Sequence, residues 1–253
     1  MIPSKLPGID YALNPYRGCA HGCLYCYAPY VLRINRDDWS THIEAKINLP
    51  SLLRREIAGK SGTIGIGTVT DPYQPGESDF LITRRCLEIL TRSNLRVTIL
   101  TKSDLIARDV DAITKLKNVE IGITITTIDE DYALEIEPRA PPPYRRLEAL
   151  RKFSQLGVDT YAMIGPILPI VTDANLDALL SEIANTGTKR IMIDKLRFRH
   201  GMEEVLALSN CMKDSHFRGL FFEKATSDSF YYKLASRISL FCRENNLLCE
   251  EAF

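Results

Sequence analysis

The sequence has no uninterrupted apolar run of about 18 residues, so no segment of it is expected to cross a membrane. Met1 to Leu13 include Pro3, Pro7 and Asp10 and no apolar block, so no secretory signal is read there and a reducing, cytoplasmic setting is expected. Net charge is missing too. The 32 basic residues meet 32 acidic ones, which excludes the strongly basic character of a general nucleic-acid or anionic-membrane binder but leaves a local patch open. No linker, repeat or low-complexity tract marks a boundary, so residues 1–253 read as a single domain. Seven cysteines, an odd number, in a chain able to bury its own core argue against a disulfide-stapled scaffold.

What the sequence does have is alternation. Apolar, β-branched runs at 63–68 (TIGIGT), 97–101 (VTILT), 119–126 (VEIGITIT), 158–164 (VDTYAMI) and 190–196 (RIMIDKL) read as strands buried on both faces. Helical stretches fall at 80–93, 104–116, 144–155 and 174–185, the last with Thr172 or Asp173 as its cap. Gly157 and Gly187 sit at expected helix C-caps, and Pro141, Pro142 and Pro143 lead into a first turn that tolerates proline. This pattern predicts a parallel α/β fold, barrel or open sheet. Residues 49–58 read as a helix. An apolar run GLFFE at 219–223 and a helix at 227–244 form a strand and helix extension over about 215–253.

Three cysteines fall within eight residues, Cys19-Ala-His-Gly-Cys23-Leu-Tyr-Cys26, where Gly18 and Gly22 ease a tight loop. Spacing of this kind lets one loop aim three thiolates at an iron-sulfur cluster, leaving one iron without a protein ligand. A structural zinc site with His21 or a distant residue as fourth ligand is the alternative, although zinc ribbons pair CxxC with CxxC and no second CxxC is present. Cys86, Cys211, Cys242 and Cys249 are widely spaced and read as packing.

The motif in its context, NPYRGCAHGCLYCYAPY, resembles the signature of the radical S-adenosylmethionine (SAM) superfamily and its spore photoproduct lyase-like branch, also labelled DNA repair photolyase-like. The resemblance continues through TDPYQPGE (70–77), TKSD (101–104), ITTIDED (125–131), EPRAPPPYRRLEAL (137–150) and GPILP (165–169). It implies a partial (β/α)6 TIM-type barrel with its core over about 14–200. It also implies a [4Fe-4S] cluster on Cys19, Cys23 and Cys26, and SAM cleaved reductively to a 5′-deoxyadenosyl radical that abstracts hydrogen from a substrate. The low-potential electron comes from outside, so a flavodoxin or ferredoxin is the expected transient partner. A non-catalytic iron-sulfur electron carrier or sensor is the alternative from another class.

Polar residues follow successive strands, where α/β sites gather. By resemblance Lys102 and Thr70 meet the SAM carboxylate and Gly165 with Ile167 the adenine, while a ribose wants hydroxyl or carboxylate partners, which suggests Thr124 or Thr126. Tyr25 offers its backbone to the adenine and Tyr27 its ring to the cofactor, or both tyrosines pack as core. No Gly-Gly-Glu ends the second strand, so Asp71 or backbone carbonyls are left for the SAM amino group. Glu137 and Arg139 either brace the site as an ion pair or touch SAM directly. Photoproduct lyase uses a cysteine at the end of this strand as hydrogen donor, and Thr68 takes that place here. An O–H bond is much stronger than S–H, so a thymine-dimer lyase is not predicted. Arginine pairs at 54–55, 84–85, 145–146 and Arg197 with Arg199 read either as a local surface for an anionic substrate or as solvated helix faces. Nucleic acid is a possible but unfavoured substrate.

Overall fold

The computed structural model describes residues 1–252. Its main sheet has eight strands in the order β1 (Ile2–Pro3), β2 (Tyr11–Leu13), β5 (Thr63–Ile66), β6 (Arg96–Thr101), β7 (Val119–Thr124), β8 (Asp159–Ile167), β9 (Arg190–Lys195) and β10 (Leu248–Glu251). β3 (Tyr16–Arg17) and β4 (Glu44–Ala45) form a separate antiparallel pair. β1 lies antiparallel to β2 at one edge, and every other neighbouring pair in the main sheet is parallel. The strand order follows the chain, and the edge strands β1 and β10 are not paired to each other, so the sheet winds as a partial barrel.

Strand alternation sorts the residues by face. Ile64, Ile66, Val97, Ile99, Ile121, Ile123, Ile164, Ile191 and Ile193 are essentially inaccessible and pack in the core. The opposite register positions carry Gly65, Thr98, Gly122, Tyr161, Met163 and Asp194. That inner face is closed at the N-terminal ends of the strands. Glu120 pairs with Arg96 at 3.1 Å and with Arg190, Arg190 reaches Glu250 at 3.3 Å, and its guanidinium lies 5.0 Å over the Tyr161 ring. A Cβ on Gly122 would sit 2.2 Å from Tyr161 Cζ, so the glycine is what lets this ring cross the barrel.

The five strands expected from the alternation are all present, with no end shifted by more than three residues. Several other expectations need correction. The stretch 104–116 is a 3-10 turn over Asp104–Asp109 followed by a short helix, Val110–Ile113. The run GLFFE lies inside the helix Ser215–Ala225, and the terminal strand is β10. Thr172 and Asp173 do not cap the helix Leu176–Ala184: Thr172 Oγ1 accepts from the Leu168 N–H at 2.9 Å, and Asp173 accepts from the Ile170 N–H. Among the described residues no helix is long and apolar enough to cross a membrane.

Candidate active site

The segment Gly18 to Tyr27 leaves the small β3–β4 sheet and turns back over the C-terminal ends of β5 and β6. Gly18 and Gly22 adopt positive φ, 82° and 68°, and a side chain on Gly18 would strike His42 O at 2.6 Å. The loop is propped from below by the segment after β5. Thr70 donates its hydroxyl to Gly18 O at 2.5 Å, while Gln74 Nε2 donates to the same carbonyl at 3.2 Å. Gln74 Oε1 accepts from the Ala20 N–H at 2.8 Å. These bonds satisfy backbone groups that a buried loop would otherwise leave unpaired.

Asp71 ties the loop to β6. Its carboxylate accepts from Thr101 Oγ1 at 2.6 Å, Lys102 N–H at 2.7 Å and Tyr73 N–H at 2.9 Å. His21 Nε2 stands 3.3 Å from Asp71 Oδ2, at ion-pair range but off the hydrogen-bonding line. Burial opposes ionisation of Asp71, yet His21 and the donors outweigh it and hold the pKa at about 2. The other ring nitrogen, Nδ1, lies 3.3 Å from Arg139 O, so both His21 nitrogens face protein acceptors. A zinc site completed by His21 is therefore not what this loop builds. Among the described residues no three His, Cys, Asp or Glu side chains converge on a single metal ion.

Cys19, Cys23 and Cys26 are unpaired thiols on this one loop. Burial raises all three, Cys23 to about 12, while Lys102 opposes the rise at Cys23 and Cys26. The Ala28 amide and the Trp39 indole also favour the charged form of Cys26. A loop presenting three thiols, with cations and N–H donors beside it, fits a cluster bound by three thiolates.

Lys102 closes one side. Its Nζ lies 5.5 Å over the Tyr25 ring and makes no hydrogen bond among the described residues. Burial works against the charge, but Cys23 and Glu137 hold its pKa above the ordinary lysine value. Beneath it Glu137, 1% exposed, accepts from Tyr25 Oη and from Thr126 Oγ1 at 3.2 Å, and Arg146 Nη1 stands 2.5 Å from its Oε2. Arg146, also 1% exposed, donates to Pro141 O at 2.6 Å and Thr124 O at 3.3 Å.

These contacts revise several expected roles. The partner of Glu137 is Arg146, on the helix Pro143–Gln155, and not Arg139. Arg139 is exposed and lays its guanidinium over Gly22, 2.7 Å from where a Cβ would be. Thr70 has its only hydroxyl proton committed to Gly18 O and has none left for a carboxylate. Asp71 already accepts from three protein donors, two on Oδ1 and one on Oδ2, which makes it first of all a brace between the loop and β6. Thr126 is committed to Glu137, whereas the Thr124 hydroxyl carries no hydrogen bond among the described residues. Tyr25 is core, at 6% exposed. Tyr27 is 45% exposed and donates to Thr68 O at 3.1 Å. Gly165 lies beside Met163, whose Cε a Cβ would meet at 2.3 Å. Sequence alone does not single out His21 as a brace, Gln74, Arg146 or buried Glu77, which accepts from Tyr16 Oη, two backbone N–H groups and Arg108. Only the presence of Gln74 and Glu77 within TDPYQPGE could have flagged them.

A partial parallel barrel with a three-thiol loop over its mouth defines a class of cluster-binding enzymes. The Radical SAM superfamily model matches residues 13–183, and the chain belongs to that superfamily. An uncharacterized protein of Methanocaldococcus jannaschii is 38% identical over 68% of this chain and 65% of its own length. Another, from Mycobacterium tuberculosis, is 31% identical over 75% of this chain and 59% of its own. The chain thus spans less than two thirds of these relatives. Among solved structures, spore photoproduct lyase superposes over 100% of this chain and 78% of its own, with TM-score 0.74 and 16% identity. Streptococcus suis SuiB bound to S-adenosylmethionine covers 97% of this chain and 51% of its own, with TM-score 0.61 and 15% identity. At these identities the likeness is one of fold.

Proposed function

We propose that the chain holds a [4Fe-4S] cluster through Cys19, Cys23 and Cys26 and cleaves SAM reductively, the resulting radical taking hydrogen from a substrate other than a thymine dimer. The observation that carries this reading is the braced three-thiol loop with the free ammonium of Lys102 beside it. When bound, the cluster and SAM supply the electron transfer and the radical. The chain's own residues do the rest. Asp71, Thr70 and Gln74 fix the loop; Lys102 offers an unpaired cation to a carboxylate; Glu137 and Arg146 set the height of Tyr25 under it; Thr124 offers the one free hydroxyl of its group. At Gly165 the Met163 side chain occupies the space a Cβ would take, so a flat ring laid against this backbone would first displace that flexible thioether.

The position of the lyase's donor cysteine is Thr68 here, and its hydroxyl accepts from Asn14 Nδ2 at 2.8 Å. It has no thiol hydrogen to return to a product radical, which supports a different substrate. An external flavodoxin-type or ferredoxin-type donor fits the need for one electron. The test is anaerobic reconstitution with iron and sulfide, then incubation with SAM and a strong reductant. Near four irons per chain and release of 5′-deoxyadenosine are expected. Colourless zinc-loaded protein, or a cluster that never cleaves SAM, would overturn the proposal. Repair of spore photoproduct DNA would overturn its second half.

A further inference from the structure

Four arginine clusters stand out in the sequence, and the structure treats them differently. Arg84 is paired with Asp109 and Asp111, Arg145 with Asp104, and Arg197 with Asp194. Arg54, Arg85 and Arg92 are exposed and carry no ion pair or side-chain hydrogen bond among the described residues. Together with Lys60 they line one groove of about 700 Å³ between the helices Leu49–Glu56 and Ile82–Leu90, and Glu88 is the one acidic residue on its wall. Four cations against one anion give this surface +3 in a chain whose total is zero.

The cations are strung out and do not converge. Arg85 and Arg92 are seven residues apart along one helix and its following turn, about 10 Å at 1.5 Å per residue. A lone phosphate gathers donors around a point, whereas one strand of a nucleic acid presents a charge about every 3.4 Å and would place roughly three phosphates over that length. Ser51, Ser93 and Asn94 add neutral groups of the kind that contact phosphodiester oxygens. No aromatic side chain lines the groove, so it has no platform for stacking bases.

The groove faces away from the reaction mouth. Its loops, 57–60 and 92–94, lead into the N-terminal ends of β5 and β6, while the cysteine loop sits over their C-terminal ends. Six residues of β6 separate the two levels by about 20 Å. An electron donor must approach the cluster, so its surface is not this one.

We propose that this groove binds the sugar-phosphate backbone of a nucleic-acid strand, independently of sequence and away from the site of SAM cleavage. The test is fluorescence anisotropy of the full chain with labelled DNA duplexes of about 20 base pairs. With four phosphates neutralised, affinity should fall roughly a hundred-fold between about 50 and 200 mM salt. Replacing Arg54, Arg85 and Arg92 together by alanine should remove about 2.7 from the slope of log affinity against log salt. Replacing the same three by lysine should keep most of the slope, and Glu88→Gln should tighten binding. Release of 5′-deoxyadenosine without nucleic acid should be unchanged in all of these variants, so failure here is separable from failure of the proposed activity. Three outcomes would overturn the proposal: no binding at low salt, an alanine variant that binds like the parent, or poly-glutamate or inorganic polyphosphate competing as well per charge as the duplex.

Discussion

Replacing Arg146 by methionine tests the claim that the site rests on a buried ion pair. Both Arg146 and Glu137 are 1% exposed, so the variant would leave a carboxylate without its main counter-charge. Removing one partner of such a pair costs about 3–5 kcal/mol. Loss of the donors to Pro141 O and Thr124 O adds about 1 kcal/mol each, while Lys102, which also attracts Glu137, offsets part of the total. A net loss of about 4 kcal/mol corresponds to roughly 8–16 °C in melting temperature for a chain of this size. The double variant Glu137→Gln with Arg146→Met removes both charges and should lose less than half as much. Anaerobic thermal melts followed by circular dichroism, on protein with and without reconstituted iron, give both numbers. If the single variant melts within 2 °C of the parent, or the double variant is as unstable as the single, the pair does not brace the site.

Serine at Cys19, Cys23 or Cys26 should each drop reconstituted iron to background, whereas alanine at Cys86 or Cys242, both buried in the core, should leave it unchanged; iron analysis decides. Lys102→Met should weaken SAM binding by about ten- to a hundred-fold, the worth of one charge-assisted hydrogen bond, as read by equilibrium dialysis; an unchanged affinity would remove Lys102 from the site. Asp71 should make the chain acid-sensitive. Its pKa of about 2 in the folded chain lies below the ordinary 3.8, so its contribution is fully present above pH 3.8 and lost as pH falls toward 2. Unfolding monitored between those pH values should be shallower in Asp71→Asn, and an identical profile would refute the assignment.

The strands were legible because their outward residues, Ile64, Ile99, Ile121, Ile164 and Ile191, are apolar runs that only a covered sheet accommodates. β10 was not, because inward-facing Glu250 serves Arg190 and breaks the apolar pattern a strand normally shows. The shared loop of Cys19, Cys23 and Cys26 was legible from spacing alone, since three thiols so close in sequence need no long-range information to come together. Glu137 illustrates the limit. Arg139 is its neighbour in sequence, but the proline turn at 141–143 swings a helix back so that Arg146 arrives instead. The bracing bond of Thr70 is hidden for a related reason: only the folded loop shows that its hydroxyl proton goes to Gly18 O.

The braces under the cysteine loop have a consequence for the life of the cluster. Thr70, Gln74 and Asp71 hold the loop through its backbone and its flanking strand, and none of these bonds involves a thiol. In zinc fingers the metal supplies the folding energy, and chelation unfolds the domain. Here protein bonds hold the backbone of the loop, so on the proposed function loss of iron by oxidation is expected to strip the centre without collapsing its seat. A chain built this way is expected to be emptied and recharged as a folded body, so that damage to such a cluster calls for repair and not for replacement of the protein.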